Sequence, residues 1–96
     1  MIYSFEWDAD KARQNILKHG IRFEESATVF KDPNARSIYD SDHSQNEDRW
    51  ITLGLTSSGN LVVVNHTFKE IDKGKSIIRI FSSRKANKSE SNQYGE

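Results

Sequence analysis

Residues 75–88 read Lys-Ser-Ile-Ile-Arg-Ile-Phe-Ser-Ser-Arg-Lys-Ala-Asn-Lys, and this stretch is the clearest structural signal in the chain. The apolar pattern over residues 76–82 predicts a β-strand in which one arginine, Arg79, is embedded. Strand positions beside Ile78 and Ile80 are usually occupied by apolar or β-branched residues. A guanidinium at this place therefore calls for a partner carboxylate or for a ligand that is itself negative.

The chain has 96 residues, which is enough for one domain with a modest core, so we predict a single domain over residues 1–96. It contains no cysteine, which excludes disulfides and thiolate metal sites. The first residues do not resemble a signal peptide, and no apolar run approaches the roughly 18 residues of a membrane span. We therefore expect a cytoplasmic protein that does not act at a membrane.

The net charge of zero conceals an uneven distribution of charge along the sequence. Residues 1–48 hold six Lys and Arg against ten Asp and Glu, giving −4, whereas residues 49–96 hold eight against four, giving +4. A polyanion would bind the positive half. The alternative is that the two halves neutralise each other across the fold, and charge counts favour neither interpretation.

The order of the predicted elements indicates an α+β fold. Alternation over residues 3–7 predicts a strand, and helical spacing predicts helices over about residues 9–19 and 23–30, with Gly20 as the C-cap of the first. Alternating segments then predict a meander, and a short helix follows Lys85. We expect two N-terminal helices packed on an antiparallel sheet of about four to five strands, with a short C-terminal helix.

Half of all Lys and Arg residues form a basic cluster near the end of the sequence: Lys69, Lys73, Lys75, Arg79, Arg84, Lys85 and Lys88. Cleavage of RNA through a ribose 2′-hydroxyl needs positive charge at the phosphate, a proton acceptor and a proton donor. Arginine suits the first role because its fork meets phosphate oxygens in pairs. The alternative is that Arg79 pairs with a carboxylate and that the lysines form a solvated face.

A second candidate site is the acidic loop that contains Asp40, Asp42, His43, Glu47 and Asp48. Carboxylates and a histidine this close together could hold a divalent ion, which would suggest a metal-dependent nuclease or phosphatase. The spacing does not match a calcium-binding loop. The alternatives are an acidic surface loop or a docking site for a basic partner.

Taken together, several segments resemble the BrnT family, the ribonuclease half of a bacterial toxin–antitoxin pair. The resemblance extends from about residue 5 to residue 94 and rests on the order and spacing of these segments: Phe5-Glu6-Trp7-Asp8, Lys11-Ala12, Asn15, Lys18-His19-Gly20-Ile21, Phe23-Glu24-Glu25, Val29-Phe30-Lys31-Asp32-Pro33, Asp42-His43, Glu47-Asp48-Arg49-Trp50, His66-Thr67, and Ile78-Arg79-Ile80-Phe81-Ser82-Ser83-Arg84-Lys85-Ala86 with Glu90 and Tyr94.

The resemblance implies a fold similar to RelE-type ribonucleases and a metal-independent attack on RNA that uses no cofactor. It also implies inhibition by a BrnA-like antitoxin, through which alone the protein would reach operator DNA. Arg79 and Arg84 are then expected to stabilise phosphate charge, and the choice of proton-transfer group stays open among Tyr94, His66 and Lys69. The cations expected to bind RNA are Lys75, Lys85 and Lys88.

Two departures from the family pattern affect this interpretation. The family often has an arginine where this chain has Lys69, and lysine keeps the charge but loses the bidentate geometry. The last helix is also less basic than is usual in the family. The competing hypothesis is a non-catalytic module that uses the same basic face to bind nucleic acid or a protein.

Overall fold

The computed structural model describes residues 2–94, which form one mixed sheet with helices. In chain order its elements are β1 (Ile2–Glu6), α1 (Ala9–His19), α2 (Phe23–Ala27), β2 (Arg36–Tyr39), β3 (Arg49–Leu55), β4 (Leu61–Thr67), β5 (Lys69–Asp72), β6 (Lys75–Lys85) and α3 (Lys88–Gln93). Two short 3₁₀ turns lie at Thr28–Lys31 and Ser41–His43. The α+β class predicted from the sequence is confirmed. Among the described residues no helix is long and apolar enough to cross a membrane.

The sheet has six strands, with β1, β6, β4, β3 and β2 side by side in that order and β5 beside the first residues of β6. It differs in two ways from the predicted antiparallel sheet of about four to five strands. β1 pairs with β6 in parallel, an arrangement that the long connection between the two strands permits. The segment after Phe68, which was not among the predicted strands, forms β5 and turns back onto β6 at Gly74, where φ is 76°.

Strand β6 is longer than the sequence predicted. The expected strand ended near Ser82, but pairing with β4 continues to Lys85, so Arg84 belongs to the strand. At roughly 3.3 Å per residue, Lys75 and Lys85 stand roughly 33 Å apart at opposite ends of the strand. This separation decides which of the predicted basic residues are able to act together.

The hydrophobic core lies between the helices and one face of the sheet, and burying its apolar side chains supplies the main stabilising energy. Its buried members are Ile21, Phe23, Val29, Val62, Val64, Ile78 and Ile80. Gly54 lies directly beneath the 3₁₀ turn, where an added Cβ would come 3.0 Å from the Cβ of Val29. The absence of a side chain on this strand lets the turn approach the sheet closely.

A buried polar network joins both helices to β6. Asn15 in α1 is only 5% exposed; its Nδ2 donates to the Ile21 carbonyl at 3.0 Å, and its Oδ1 accepts from the Ser83 backbone N–H at 3.0 Å. The hydroxyls of Ser26 and Ser83 share a hydrogen bond of 2.5 Å. Because buried polar groups are costly unless they are paired, this network fixes the helices over the second half of β6.

Candidate nucleic-acid interface

Arg79 lies in the first half of β6 with its side chain exposed. Its backbone N–H donates to the Thr67 hydroxyl at 3.2 Å, which fixes the strand at this point. Within residues 2–94 its guanidinium forms no ion pair. Glu6 is its neighbour across β1 and β6, but within the described residues no carboxylate lies at ion-pair distance from the Arg79 guanidinium, so its fork of donors is free for a ligand.

A cleft of about 380 Å³ brings two further cations to Arg79. Arg49 begins β3 and Lys11 belongs to α1, and both lie over the ring of Phe81, at 4.3 Å and 5.2 Å from its centroid. Such cation–π contacts hold the charges in place without neutralising them. The fold thus brings three cations from three distant parts of the chain to one cleft, two of them over the ring of Phe81. We call Lys11, Arg49, Arg79 and Phe81 the basic cleft.

Carboxylates border the basic cleft. Asp8 and Glu47 line it together with the cations, and Glu47 lies 3.6 Å from Arg49. A neighbouring cleft of about 560 Å³ shares Arg79 and Glu47 and also contains Glu6, Asp48 and Lys69. The interface therefore combines positive groups with groups able to accept a proton, and it is not a uniformly basic surface.

Lys69 is the only other sequence-predicted catalytic residue that lines a cleft with Arg79 among the described residues. It begins β5 and is exposed, and its Cα partner on β6 is Ile77. Lys69 and Arg79 therefore present two positive charges to the same space.

Arg84 has an internal partner. Its Nη1 and Nη2 atoms each donate to one carboxylate oxygen of Glu90 at 2.8 Å. This hydrogen-bonded pairing raises the pKa of Arg84 and lowers the pKa of Glu90. Glu90 belongs to the capping box of α3, in which the Asn87 side chain accepts from the Glu90 N–H. Arg84 thus secures the last helix, and its fork is occupied.

Tyr94 also bonds within the fold. Its hydroxyl donates to Asp32 Oδ2 at 2.5 Å, and this hydrogen bond raises the pKa of Tyr94. The carboxylate of Asp32 accepts as well from the backbone N–H groups of Leu55 and Asn34, at 2.8 Å and 2.9 Å, and these bonds lower its pKa despite desolvation. The phenol therefore anchors the end of α3 to the turn before β2.

His66 is buried, with only 2% of its surface exposed. Its Nδ1 lies 2.8 Å from the Thr67 carbonyl and must carry the proton, so Nε2 accepts from the Thr52 hydroxyl at 2.6 Å. Its ring packs edge-on against Phe30, with centroids 4.8 Å apart. Burial lowers the pKa of His66 and keeps the imidazole neutral. Both nitrogens are used inside the fold.

The three lysines predicted to bind RNA lie apart from one another. Lys75 begins β6, Lys85 ends it, and Lys88 is the first residue of α3. All three are exposed, and Lys75 stands roughly 33 Å from Lys85. The basic cluster seen in the sequence is therefore spread along a strand and does not form one patch.

The acidic loop does not form the metal site that its composition suggested as an alternative. Within residues 2–94, no three His, Asp or Glu side chains come together as a group able to hold a metal ion. His43 instead pairs with Asp40, its Nδ1 lying 2.9 Å from the carboxylate.

The sequence did not identify Lys11, Arg49 and Phe81 as site residues. They are far apart in the chain, and their only signal in the sequence was that each belongs to a segment that resembles the BrnT family. Their meeting depends on the pairing of β3, β4 and β6, which periodicity does not reveal.

Comparison with known proteins gives an independent view of this fold. A family model described as the ribonuclease toxin BrnT of type II toxin–antitoxin systems matches residues 7–90. The crystal structure of the Brucella abortus ribonuclease toxin BrnT aligns with a TM-score of 0.64 and 18% sequence identity, covering 92% of this chain and 100% of that one. No curated protein matches the chain.

The structural likeness shows a shared fold, and the family model covers most of the chain, including β3, β4 and β6. The resemblance found in the sequence is confirmed. The chain belongs to the BrnT family of ribonuclease toxins of type II toxin–antitoxin systems.

Proposed function

We propose that this chain is an endoribonuclease toxin that cleaves RNA at the basic cleft without a metal ion or cofactor. The observation that carries the proposal is the unpaired guanidinium of Arg79 beside Arg49 and Lys11. Negative charge grows on the phosphate oxygens as the phosphorane forms, and fixed cations stabilise that charge more in the transition state than in the ground state.

The chemistry follows from the groups present in RNA itself. The ribose 2′-oxygen attacks the neighbouring phosphorus while the bond to the 5′-oxygen breaks. Arg79 and Arg49 stabilise the phosphate, and Lys69 adds positive charge from the neighbouring cleft. Because the nucleophile belongs to the substrate, the protein has to supply only charge, position and proton transfer.

We further propose that the fold is RelE-like and that a BrnA-like antitoxin neutralises this toxin in the cytoplasm. The family membership supports an antitoxin partner, because the family model describes one member of a type II pair. A partner would block the reaction by placing acidic groups over the basic cleft. Binding to operator DNA would then come only through the antitoxin.

The test uses purified protein, a chelator and a matched pair of oligonucleotides, one RNA and one DNA of the same sequence. We expect cleavage of the RNA with a new 5′-hydroxyl end and no cleavage of the DNA, which lacks the 2′-hydroxyl. Cleavage that appears only after a divalent ion is added would overturn the metal-independent reaction. If the expressed protein arrests growth but the purified protein cleaves no RNA, the non-catalytic binding module would be favoured.

A further inference from the structure

The loop between β2 and β3 holds a histidine–aspartate pair that the proposed chemistry has not yet used. The backbone N–H of Asp40 donates to the Arg49 carbonyl at 2.8 Å, which fixes Asp40 at the end of the strand pair. The hydroxyl of Ser44 donates to the Asp40 carbonyl and accepts from the Arg49 N–H at 3.0 Å. The loop is therefore closed on itself, and His43 is carried on a defined turn.

The geometry of the pair fixes the imidazole tautomer. His43 Nδ1 lies 2.9 Å from Asp40 Oδ2, and a carboxylate only accepts, so Nδ1 carries a proton; in the neutral imidazole the lone pair is then on Nε2. The Asp40 side chain is 16% exposed, whereas that of His43 is 67% exposed. A sheltered carboxylate thus orients an open imidazole, and within residues 2–94 Nε2 has no hydrogen-bond partner.

The pair lies beside the basic cleft. Asp40 and His43 line a cleft of about 190 Å³ together with Arg49 and Phe81. Arg49 and Phe81 also line the basic cleft, where they meet Arg79. The Arg49–Phe81 contact is therefore shared by the cleft that contains His43 and the cleft that contains Arg79.

We propose that His43 is the general base of the RNA cleavage, and this inference rests on the proposed function. His43 Nε2 takes the proton of the ribose 2′-hydroxyl as the 2′-oxygen bonds to phosphorus. The bond from phosphorus to the 5′-oxygen breaks, and that oxygen takes a proton from solvent. The products are a 2′,3′-cyclic phosphate and a 5′-hydroxyl. Asp40 is a positioning residue that holds the imidazole in the required tautomer.

Three other candidate bases have partners inside the fold. His66 uses both ring nitrogens there, and the Tyr94 hydroxyl donates a hydrogen bond to Asp32. Glu47 lines the same region but lies 3.6 Å from Arg49, so that its charge is engaged by a cation. The exposed imidazole of His43 needs no rearrangement to accept a proton.

The experiment compares the rates at which His43→Ala and the wild type cleave RNA, under single-turnover conditions in a buffer that contains a chelator. General-base loss should lower the cleavage rate roughly 10²- to 10⁴-fold. The Kd for the same RNA carrying 2′-O-methyl groups, which cannot react, should stay unchanged. Added imidazole should restore part of the rate to His43→Ala. The matched control is His19→Ala at the end of α1, which should cleave at the wild-type rate.

The rate and the Kd together separate positioning from binding. Asp40→Asn should lower the single-turnover rate less than His43→Ala does and leave the Kd for the methylated RNA unchanged, because the imidazole stays but loses the carboxylate that fixes its tautomer. A wild-type rate in His43→Ala would overturn this inference and leave the proposed function intact. Weaker binding of the methylated RNA together with no imidazole rescue would also overturn it. A wild-type protein that cleaves no RNA would instead refute the proposed function itself.

Discussion

Arg79 and Arg84 lie on the same strand, roughly 16 Å apart, and their surroundings differ. Arg79 is exposed, forms no ion pair within residues 2–94, and shares a cleft with Arg49 and Lys11. Arg84 is held by Glu90 through two hydrogen bonds of 2.8 Å. Two residues that look equivalent in the sequence thus belong to two different parts of the molecule, one open to a ligand and one that holds the fold together.

The difference follows from what an arginine fork is able to do. A carboxylate and a phosphate bind the same pair of N–H donors on an arginine. Glu90 therefore occupies the donors of Arg84 that an RNA phosphate would need. The ion pair between Arg84 and Glu90 is partly exposed, so it contributes about 0.2–1 kcal/mol to stability. The second half of β6 also contains Ser83, which bonds to Asn15 and Ser26. This half holds the helices, whereas in the first half Arg79 forms no ion pair within residues 2–94.

The difference between the two halves of β6 is tested on the catalytic side by Arg49→Ala. Its guanidinium faces Phe81 beside Arg79, so its removal takes one cation from the transition state. We expect kcat/KM for RNA cleavage to fall about 10- to 100-fold, or about 1.4–2.7 kcal/mol. Arg49→Lys should recover part of the rate, because the charge stays and the fork is lost. Steady-state kinetics measures both variants. An unchanged kcat/KM in Arg49→Ala would show that Arg49 has no part in the proposed catalysis.

The structural half of β6 is tested through Asn15→Ala. The substitution leaves the Ser83 N–H buried without its acceptor, so we expect the free energy of unfolding to fall by about 1–3 kcal/mol. The control is Gln14→Ala on the exposed side of the same helix, which should change it by less than about 0.5 kcal/mol. Urea denaturation measures both variants. Equal stability of the two would mean that the network does not hold α1 on the sheet.

The smallest effect concerns His66 and pH. Burial lowers the pKa of His66 in the folded protein, so the unfolded chain binds more protons. The contribution of the neutral imidazole to stability is therefore fully present above the ordinary pKa of about 6.5, and it is lost as the pH falls through the folded pKa. The free energy of unfolding should therefore decrease as the solution is acidified from neutral pH. His66→Gln should flatten this slope, and His19→Gln should retain it. An equally steep slope in His66→Gln would contradict the buried neutral imidazole.

The sequence predicted the element types well, because local patterns were strong. Gly20 closes α1 with φ of 71°, as its position after the helical pattern indicated. Helix α2 ends at Ala27 and continues as a 3₁₀ turn, where a helix to Phe30 was predicted. Within α1 the buried side chain is Asn15, while Leu17 is 87% exposed, so polar contacts replaced the apolar face that spacing favours.

The candidate site was only partly predictable, for a physical reason. Arg79 stood out because a charge within an apolar strand is costly without a partner. The partner of Arg84 lies in a helix that starts after the strand, and no periodicity rule links Arg84 to Glu90. Arg49 and Lys11 meet at Phe81 only because distant strands and α1 pack together. Tertiary contacts, which a single sequence does not display, therefore decided which cations share a cleft with Arg79.

The most direct measurement is the single-turnover rate of RNA cleavage by Arg79→Ala and Arg84→Ala, each shown to be folded by circular dichroism. Loss of a charge that stabilises the transition state should slow Arg79→Ala by about 10²- to 10³-fold. Arg84→Ala should melt at a lower temperature and cleave RNA at close to the wild-type rate. A folded Arg84→Ala that is inactive beside an active Arg79→Ala would contradict the division of β6 into a substrate half and a structural half.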